Sequence, residues 1–401
     1  MRLKLTVVTP IFPIPAQPYR GHSEYQILLA LSKHADVDVI CPFPRYPRWF
    51  PPRFDYRRPD LSYSPPGLAT RYFEYPAVPG LTRCINGEVC AKLLEPYFRE
   101  RVPDVACNFW LYPEGYATVA AARRLGIPAV VCSIGSDLNR IPDPASKWLT
   151  RLAMDRAAFV LTKSEHLRQQ AIRMGINARK VRTIRNGCDP SVFHLADRSA
   201  ARAQLAVDEE AQLVLFVGRL DPAKGVVELL EAFASLASRR PNLRLAYVGD
   251  GPGREQLRCT AKDLALEGRV YLAGACPSEK IPQWLAAANV LALPSYAEGC
   301  PNVVIEALSC GRPVIATNVG GIPELVNEKS AILVAPRDSR ALANAIDTAM
   351  ERNWDERSIS EQFHRGWDEA AVEMLSICEL AVQQRREKWQ LPGKATTVMS
   401  Q

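Results

Sequence analysis

No apolar run in this chain approaches the roughly 18 residues that a membrane-crossing helix requires, so no spanning segment is expected. The opening stretch holds Arg2 and Lys4 but only a short apolar run, with no small-residue cleavage site behind it. A secretory signal is therefore not expected either. The eleven cysteines are an odd number and include no Cys-x-x-Cys pair, which favours reduced thiols in a cytoplasmic protein over a disulfide framework. Five scattered histidines, without a His-x-x-x-His spacing or a cysteine cluster, give no metal signature. The chain also lacks internal repeats, low-complexity tracts and the Gly-x-Gly-x-x-Gly fingerprint of dinucleotide sites. No nucleic-acid-reading module accompanies its net charge of +7, and a nucleic-acid partner is not expected.

What is present is a 401-residue chain with 47% hydrophobic and 23% charged residues, enough for two globular domains. Charge is unevenly spread. Residues 1–190 hold 27 Lys and Arg against 16 Asp and Glu, and the remainder holds 23 against 27. A basic first half suits an anionic partner such as a membrane surface. Short apolar runs alternate with helical patterns, which predicts parallel sheets of βα units. In the first half the strands fall at 3–9, 37–41, 104–109, 128–132, 159–162 and 181–184, with helices between them. Residues 42–103 break the rhythm. They are rich in Pro, with Arg45, Trp49, Phe50, Arg53, Tyr56, Arg57 and Arg58 interleaved, and read as a surface excursion plus one helix over 88–101. Asp36 and Asp38 open the second strand and are expected to be solvated rather than to hold a metal.

The turn signals in Arg185-Asn-Gly-Cys-Asp-Pro190 place a hinge there. The expected domains are 1–190 and 191–366, with a helix over about 367–386 packing back on the first and a polar, disordered tail over 387–401. Strands of the second domain are expected at 212–217, 243–248, 269–272, 290–293, 313–316 and 331–334. Open α/β sheets bind ligands beyond the carboxyl ends of their strands, so the loops there carry the candidate chemistry. Arg219 and Lys224 flank one such loop, as an Arg fork and a Lys point charge suited to phosphate. The loop after 290–293 carries Glu298 and Gly299, then a helix starting near Pro301 that contains Glu306. A helix N-terminus offers free N–H groups and a positive dipole end to an anion. Carboxylates beside it repel phosphate and suit neutral hydroxyls, a combination that fits a nucleotide sugar.

Together these segments resemble glycosyltransferase family four, the retaining nucleotide-sugar enzymes of the GT-B fold. The resemblance rests on Val-Gly-Arg-Leu…Lys-Gly (217–225), Val-Gly-Asp-Gly-Pro (248–252), the Glu-x7-Glu segment (298–306), Gly-x-Pro-Val (311–314) and Gly-Gly-Ile-Pro-Glu (320–324). Phe-Pro-Ile-Pro-Ala-Gln-Pro (12–18) and Tyr-Pro-Glu-Gly-Tyr (112–116) resemble a subgroup that builds cell-surface polysaccharides such as teichuronic acid. The resemblance implies two Rossmann-like parallel-sheet domains facing across a cleft, and transfer of a sugar from a UDP- or GDP-sugar without a metal or other cofactor. The implied acceptor is a hydroxyl of a glycan or lipid-linked molecule, and the implied location is cytoplasmic, peripheral to the inner membrane face. By motif, Arg219 and Lys224 would bind the diphosphate and Glu298 would lie beside the transferred sugar. Gly299, Pro301, Asn302 and Val303 would offer backbone, Glu306 would hold the ribose, and Gly21 would lie under the diphosphate from the facing domain. Two departures stand out. The first loop reads Arg20-Gly21-His22 where relatives carry Gly-Gly, and Ile134 stands where relatives carry His or Arg. His22 and Asp137 are the candidate substitutes on the sugar side. A catalytically silent nucleotide-sugar binder and another GT-B enzyme such as an epimerase remain open at this point.

Overall fold

A computed structural model describes residues 2–47, 59–363 and 365–390. The aromatic and basic residues Trp49, Phe50, Arg53, Tyr56, Arg57 and Arg58, and the tail from Leu391, lie outside the described residues. Strands β1 (Lys4–Val8), β2 (Asp36–Arg45), β3 (Ala69–Pro76), β4 (Val105–Phe109), β5 (Ala129–Ser133), β6 (Phe159–Thr162) and β7 (Val181–Thr183) form one parallel sheet. Its order is β3-β2-β1-β4-β5-β6-β7. Successive side chains of a strand point to opposite faces. Val7, Val39, Cys107 and Val130 thus enter one apolar layer, and Val8, Ile40, Ala106 and Val131 the other. Burial on both faces is why these strands read as continuous apolar runs.

The second parallel sheet comprises β8 (Gln212–Val217), β9 (Leu243–Val248), β10 (Val270–Gly274), β11 (Val290–Leu293), β12 (Val314–Thr317) and β13 (Ala331–Val334), in the order β10-β9-β8-β11-β12-β13. In each sheet the winding reverses once, between β1 and β4 and between β8 and β11. These reversals open a crevice at the carboxyl edge where neighbouring loops diverge. The structure is the GT-B arrangement of two α/β units. Helix starts are set by local side chains: Asp143, Ser164, Asp197, Asp338 and Asp355 each accept a hydrogen bond from the backbone N–H three residues on.

The chain crosses between the sheets twice, and the two crossings touch. The Cys188 N–H donates to the Arg365 carbonyl at 3.0 Å. Helix Trp367–Gln390 then packs on the first sheet, with Trp367, Ala370, Ala371, Met374 and Cys378 in the same apolar layer as Leu5 and Val7. Among the described residues no helix is long and apolar enough to cross a membrane.

Several local expectations need correction. The excursion over 42–103 contains the edge strand β3, paired with β2 from Asp38 to Arg45, and its helix is longer, Arg83–Glu100. Alternating aromatic and charged residues hid that strand. Asp38 is buried, not solvated, and bonds Arg71 Nη2 at 2.9 Å, while Asp36 pairs with Arg101 at 2.5 Å. Short helices Arg198–Leu205, Arg254–Asp263 and Glu356–Glu361 were not anticipated. Pro301 occupies the N-cap with extended backbone, and the helix proper is Asn302–Ser309.

Candidate functional site

The β8 and β11 loops meet at the switch point of the second sheet. After β8 the chain passes Gly218 and Arg219 into a tight turn, Pro222–Lys224, begun by Asp221, whose carboxylate accepts the Ala223 N–H. Gly225 ends the turn at φ 70°, and a Cβ there would lie 2.1 Å from the Pro294 carbonyl oxygen. Only glycine satisfies both demands, and the close approach locks the two loops together. The Tyr296 N–H adds a 3.0 Å bond to the Ala223 carbonyl. Lys224 is thereby aimed at the β11 loop, where its Nζ donates to Glu298 Oε1 at 2.6 Å. Glu298 is buried, whereas Lys224 and Arg219 are partly exposed. The Arg219 Nε lies 3.9 Å from Asp221 Oδ2.

Helix Asn302–Ser309 follows Pro301, which gives its first amides no side-chain cap. Gly299, Asn302 and Val303 lie at its start. Glu306 is half-buried and, among the described residues, its carboxylate has no hydrogen-bond partner. Burial pushes its pKa from 4.5 to about 7. It borders a small cavity shared with His22 and Trp367 from the facing unit.

The facing wall comes from the first sheet. Gly21 adopts φ 63° at the start of helix His22–Ser32, and a Cβ there would sit 2.2 Å from the Ile11 carbonyl oxygen. The fold itself thus requires this glycine. Burial lowers the His22 pKa, favouring its neutral form. A cavity of about 320 Å³ between the units is lined by Gly21, His22, Glu24, Ile134 and Lys163 on one side and Cys300 and Asn302 on the other. The walls touch. A Cβ on Gly135 would come within 2.9 Å of the Gly299 Cα, Asn139 Nδ2 donates to the Glu298 carbonyl at 3.3 Å, and Asn186 Nδ2 donates to Asn302 Oδ1 at 2.7 Å.

Asp137 faces its own loop rather than the cavity. Its carboxylate accepts from Ser133 Oγ and from the backbone N–H groups of Leu111, Ile134 and Gly135, at 2.9 to 3.2 Å. Its role is to hold the loop, which leaves His22 as the candidate of the two that lines the cavity.

Glu24, Lys163, Asn186 and Glu324 were not singled out from the sequence. Lys163 directly follows β6, so the strand-end rule applied to every strand finds it. Glu24 carries only the weak signal of an acid in a first helical turn. Glu324 is unexpected in a different way: from the second unit it accepts the N–H groups of Glu165 and His166 in the first, at 2.8 and 2.7 Å. Chemically, the cleft offers two cations and a helix N-terminus for an anion, beside carboxylates able to accept from hydroxyls. Among the described residues no group of three or more His, Cys, Asp or Glu side chains is placed to hold a metal ion.

Residues 25–187 match the glycosyl transferase 4-like domain family and residues 197–383 match the glycosyl transferases group 1 family. A Bacillus subtilis (strain 168) protein named as a glycosyltransferase of teichuronic acid biosynthesis, TuaC, is 32% identical over 368 residues, covering 86% of this chain and 88% of that one. A D-inositol 3-phosphate glycosyltransferase of a Nocardioides species is 29% identical over 320 residues, covering 72% of this chain and 69% of that one. Among solved structures, Anabaena HepE in complex with UDP superposes with a TM-score of 0.67 at 21% identity, covering 96% of this chain and 99% of that one. Sucrose-phosphate synthase from Thermosynechococcus elongatus superposes with a TM-score of 0.72 at 21% identity, with the same coverage.

Proposed function

The chain belongs to the group 1 glycosyltransferases, and from that premise we propose that it moves a sugar, with retention, from a nucleoside-diphosphate sugar to a hydroxyl of a cell-surface glycan or lipid-linked acceptor. The observation that carries this reading is the junction of the β8 and β11 loops, where Lys224 meets Glu298 beside a helix N-terminus. In this reading residues 191–366 bind the donor. Arg219 and Lys224 take the diphosphate and neutralise the charge that grows on it as the glycosidic bond breaks. Stabilising such charge with preorganised cations is commonly the largest catalytic contribution. These side chains supply the positive charge, so the proposal needs no metal. Glu298 lies beside the transferred sugar, and Gly299, Pro301, Asn302 and Val303 offer backbone. Glu306 accepts from the ribose hydroxyls. Gly21 and His22 approach from residues 1–190, the acceptor side. The departing phosphate takes the acceptor's proton on the face it leaves, which accounts for retention.

The HepE structures in complex with UDP and UDP-glucose make a uridine donor the first to test. A thermal-shift screen over UDP, GDP and ADP tests donor binding. Ligand at 100 times its dissociation constant adds about 2.7 kcal/mol, so one diphosphate should raise the melting temperature by several degrees. If none of the three does, the proposal is wrong. With that base identified, labelled UDP- or GDP-sugars should show slow donor hydrolysis. Tight binding with no turnover, even with acceptor extract, would instead indicate a silent binder, and an interconverted donor an epimerase.

The same reading places the protein in the cytoplasm, at the inner membrane face. The starts of helices Arg83–Glu100 and Pro144–Arg156 are joined by Arg83 and Asp143 at 3.2 Å. Around that joint Leu81, Ile85 and Trp148 are 78%, 52% and 59% exposed, with Lys147 and Arg151 also exposed. Exposed apolar groups among cations suit an anionic bilayer. The protein should sediment with vesicles containing phosphatidylglycerol, and Trp148→Glu should abolish this. Equal binding to neutral vesicles at high salt would refute it.

A further inference from the structure

Ile134 puts an alkyl side chain on the wall of the cleft cavity. The same cavity contains a charged group that the donor reading leaves unused. Lys163 follows β6 and is only 5% exposed, yet it borders the cleft cavity. Among the described residues its amine has no hydrogen-bond partner. The Phe109 ring lies beneath it, with the centroid 5.5 Å from Nζ. Glu24, 6% exposed, borders the same cavity and is held by a 3.1 Å bond from Ser23 Oγ.

Burying an ammonium without oxygen partners is costly. A cation–π contact returns only part of that cost, so an oxygen-bearing ligand in the cavity would complete the shell. The opposite charges of Lys163 and Glu24 cancel, which distinguishes this end of the cleft from the Arg219 and Lys224 end. A net-neutral pair with one donor group and one acceptor group does not concentrate phosphate. It suits a neutral polyol, in which one hydroxyl oxygen accepts from the amine while another hydroxyl donates to the carboxylate.

We propose that Lys163 and Glu24 form the subsite for the transferred sugar, binding two hydroxyls of a neutral sugar beside the apolar wall of Ile134. The inference rests on the donor reading above. It adds two contacts from the first unit to the sugar side, opposite Glu298 of the second, and leaves diphosphate affinity to Arg219 and Lys224.

The test uses the full-length protein and titration calorimetry with UDP and UDP-glucose, or with GDP and GDP-mannose if GDP is the diphosphate that raises the melting temperature. The readout is the ratio of affinities for the nucleotide sugar and its diphosphate. Lys163→Met and Glu24→Gln should each lower that ratio about tenfold or more, the loss expected of a hydrogen bond to a charged group. Diphosphate affinity should stay within about twofold of wild type by the same argument, since neither residue touches phosphate. Lys163→Arg should recover part of the ratio, which a packing defect would not. An unchanged ratio overturns the proposal, as does an equal loss for sugar and diphosphate, which would make Lys163 a phosphate ligand. Failure of the wild-type protein to bind any diphosphate would instead refute the donor reading itself.

Discussion

Lys224 and Glu298 are each other's partner in the free protein, at 2.6 Å. A diphosphate approaching Lys224 must compete with that carboxylate for the amine. Glu298→Ala should therefore leave nucleoside-diphosphate affinity intact or raise it, while sugar transfer falls by about a hundredfold or more. Arg219→Ala should weaken the diphosphate itself by about tenfold or more, by loss of a charge-assisted fork. Calorimetry and donor-turnover assays on the two variants check this, and the opposite pattern would reverse the two assignments. Glu306 allows a second prediction. Burial raises its folded-state pKa to about 7 from 4.5, so its neutral form belongs to the folded protein. The resulting stability is fully present below the unfolded carboxyl's pKa and is lost as pH rises through about 7. Glu306→Gln should thus gain stability relative to wild type between about pH 5 and pH 8, visible as a melting-temperature difference that grows with pH. A difference that stays flat would show that the carboxyl ionises freely. Residue types and strand-end positions revealed Arg219, Lys224, Glu298 and Glu306 as candidates. The Lys224–Glu298 pair was not legible, because 74 residues separate its members and only the stacked loops bring them together.

At the scale of elements, the β8 and β11 loops depend on one backbone conformation. Gly225 combines a positive φ with a 2.1 Å approach of its absent Cβ to Pro294. A β-branched residue in that left-handed region costs about 1–2 kcal/mol before any clash. Gly225→Val should therefore lower the melting temperature by several degrees and misdirect Lys224, with diphosphate stabilisation lost. Retained binding at wild-type affinity would show that the loop tolerates the change. The regular elements were legible because strands buried on both faces leave short apolar runs, and β1, β8 and β11 were found that way. β3 was not. It lies at a sheet edge, where Arg71 and Glu74 interrupt the apolar positions, and its identity rests on pairing with β2.

At the scale of the whole molecule, Glu324 ties the two units by accepting the first amides of helix Glu165–Arg173 from across the cleft. A carboxylate there also meets the positive end of the helix dipole. Glu324→Ala should speed amide exchange at Glu165 and His166 by about tenfold or more, with both sheet interiors unchanged, as exchange mass spectrometry would resolve. Unaltered exchange would mean that the contact contributes nothing to holding the helix start in place. The alternation of strands and helices, the two-unit architecture and the candidate residues at the β8 and β11 strand ends follow from the sequence alone, because periodicity and local turn chemistry act over a few residues. Which carboxylates face the cleft was settled by tertiary structure: Asp137 turns inward to its loop, Glu324 reaches across, and Glu24 and Lys163 share a cavity. Side-chain direction depends on the packing of elements distant in sequence, and no local spacing encodes it.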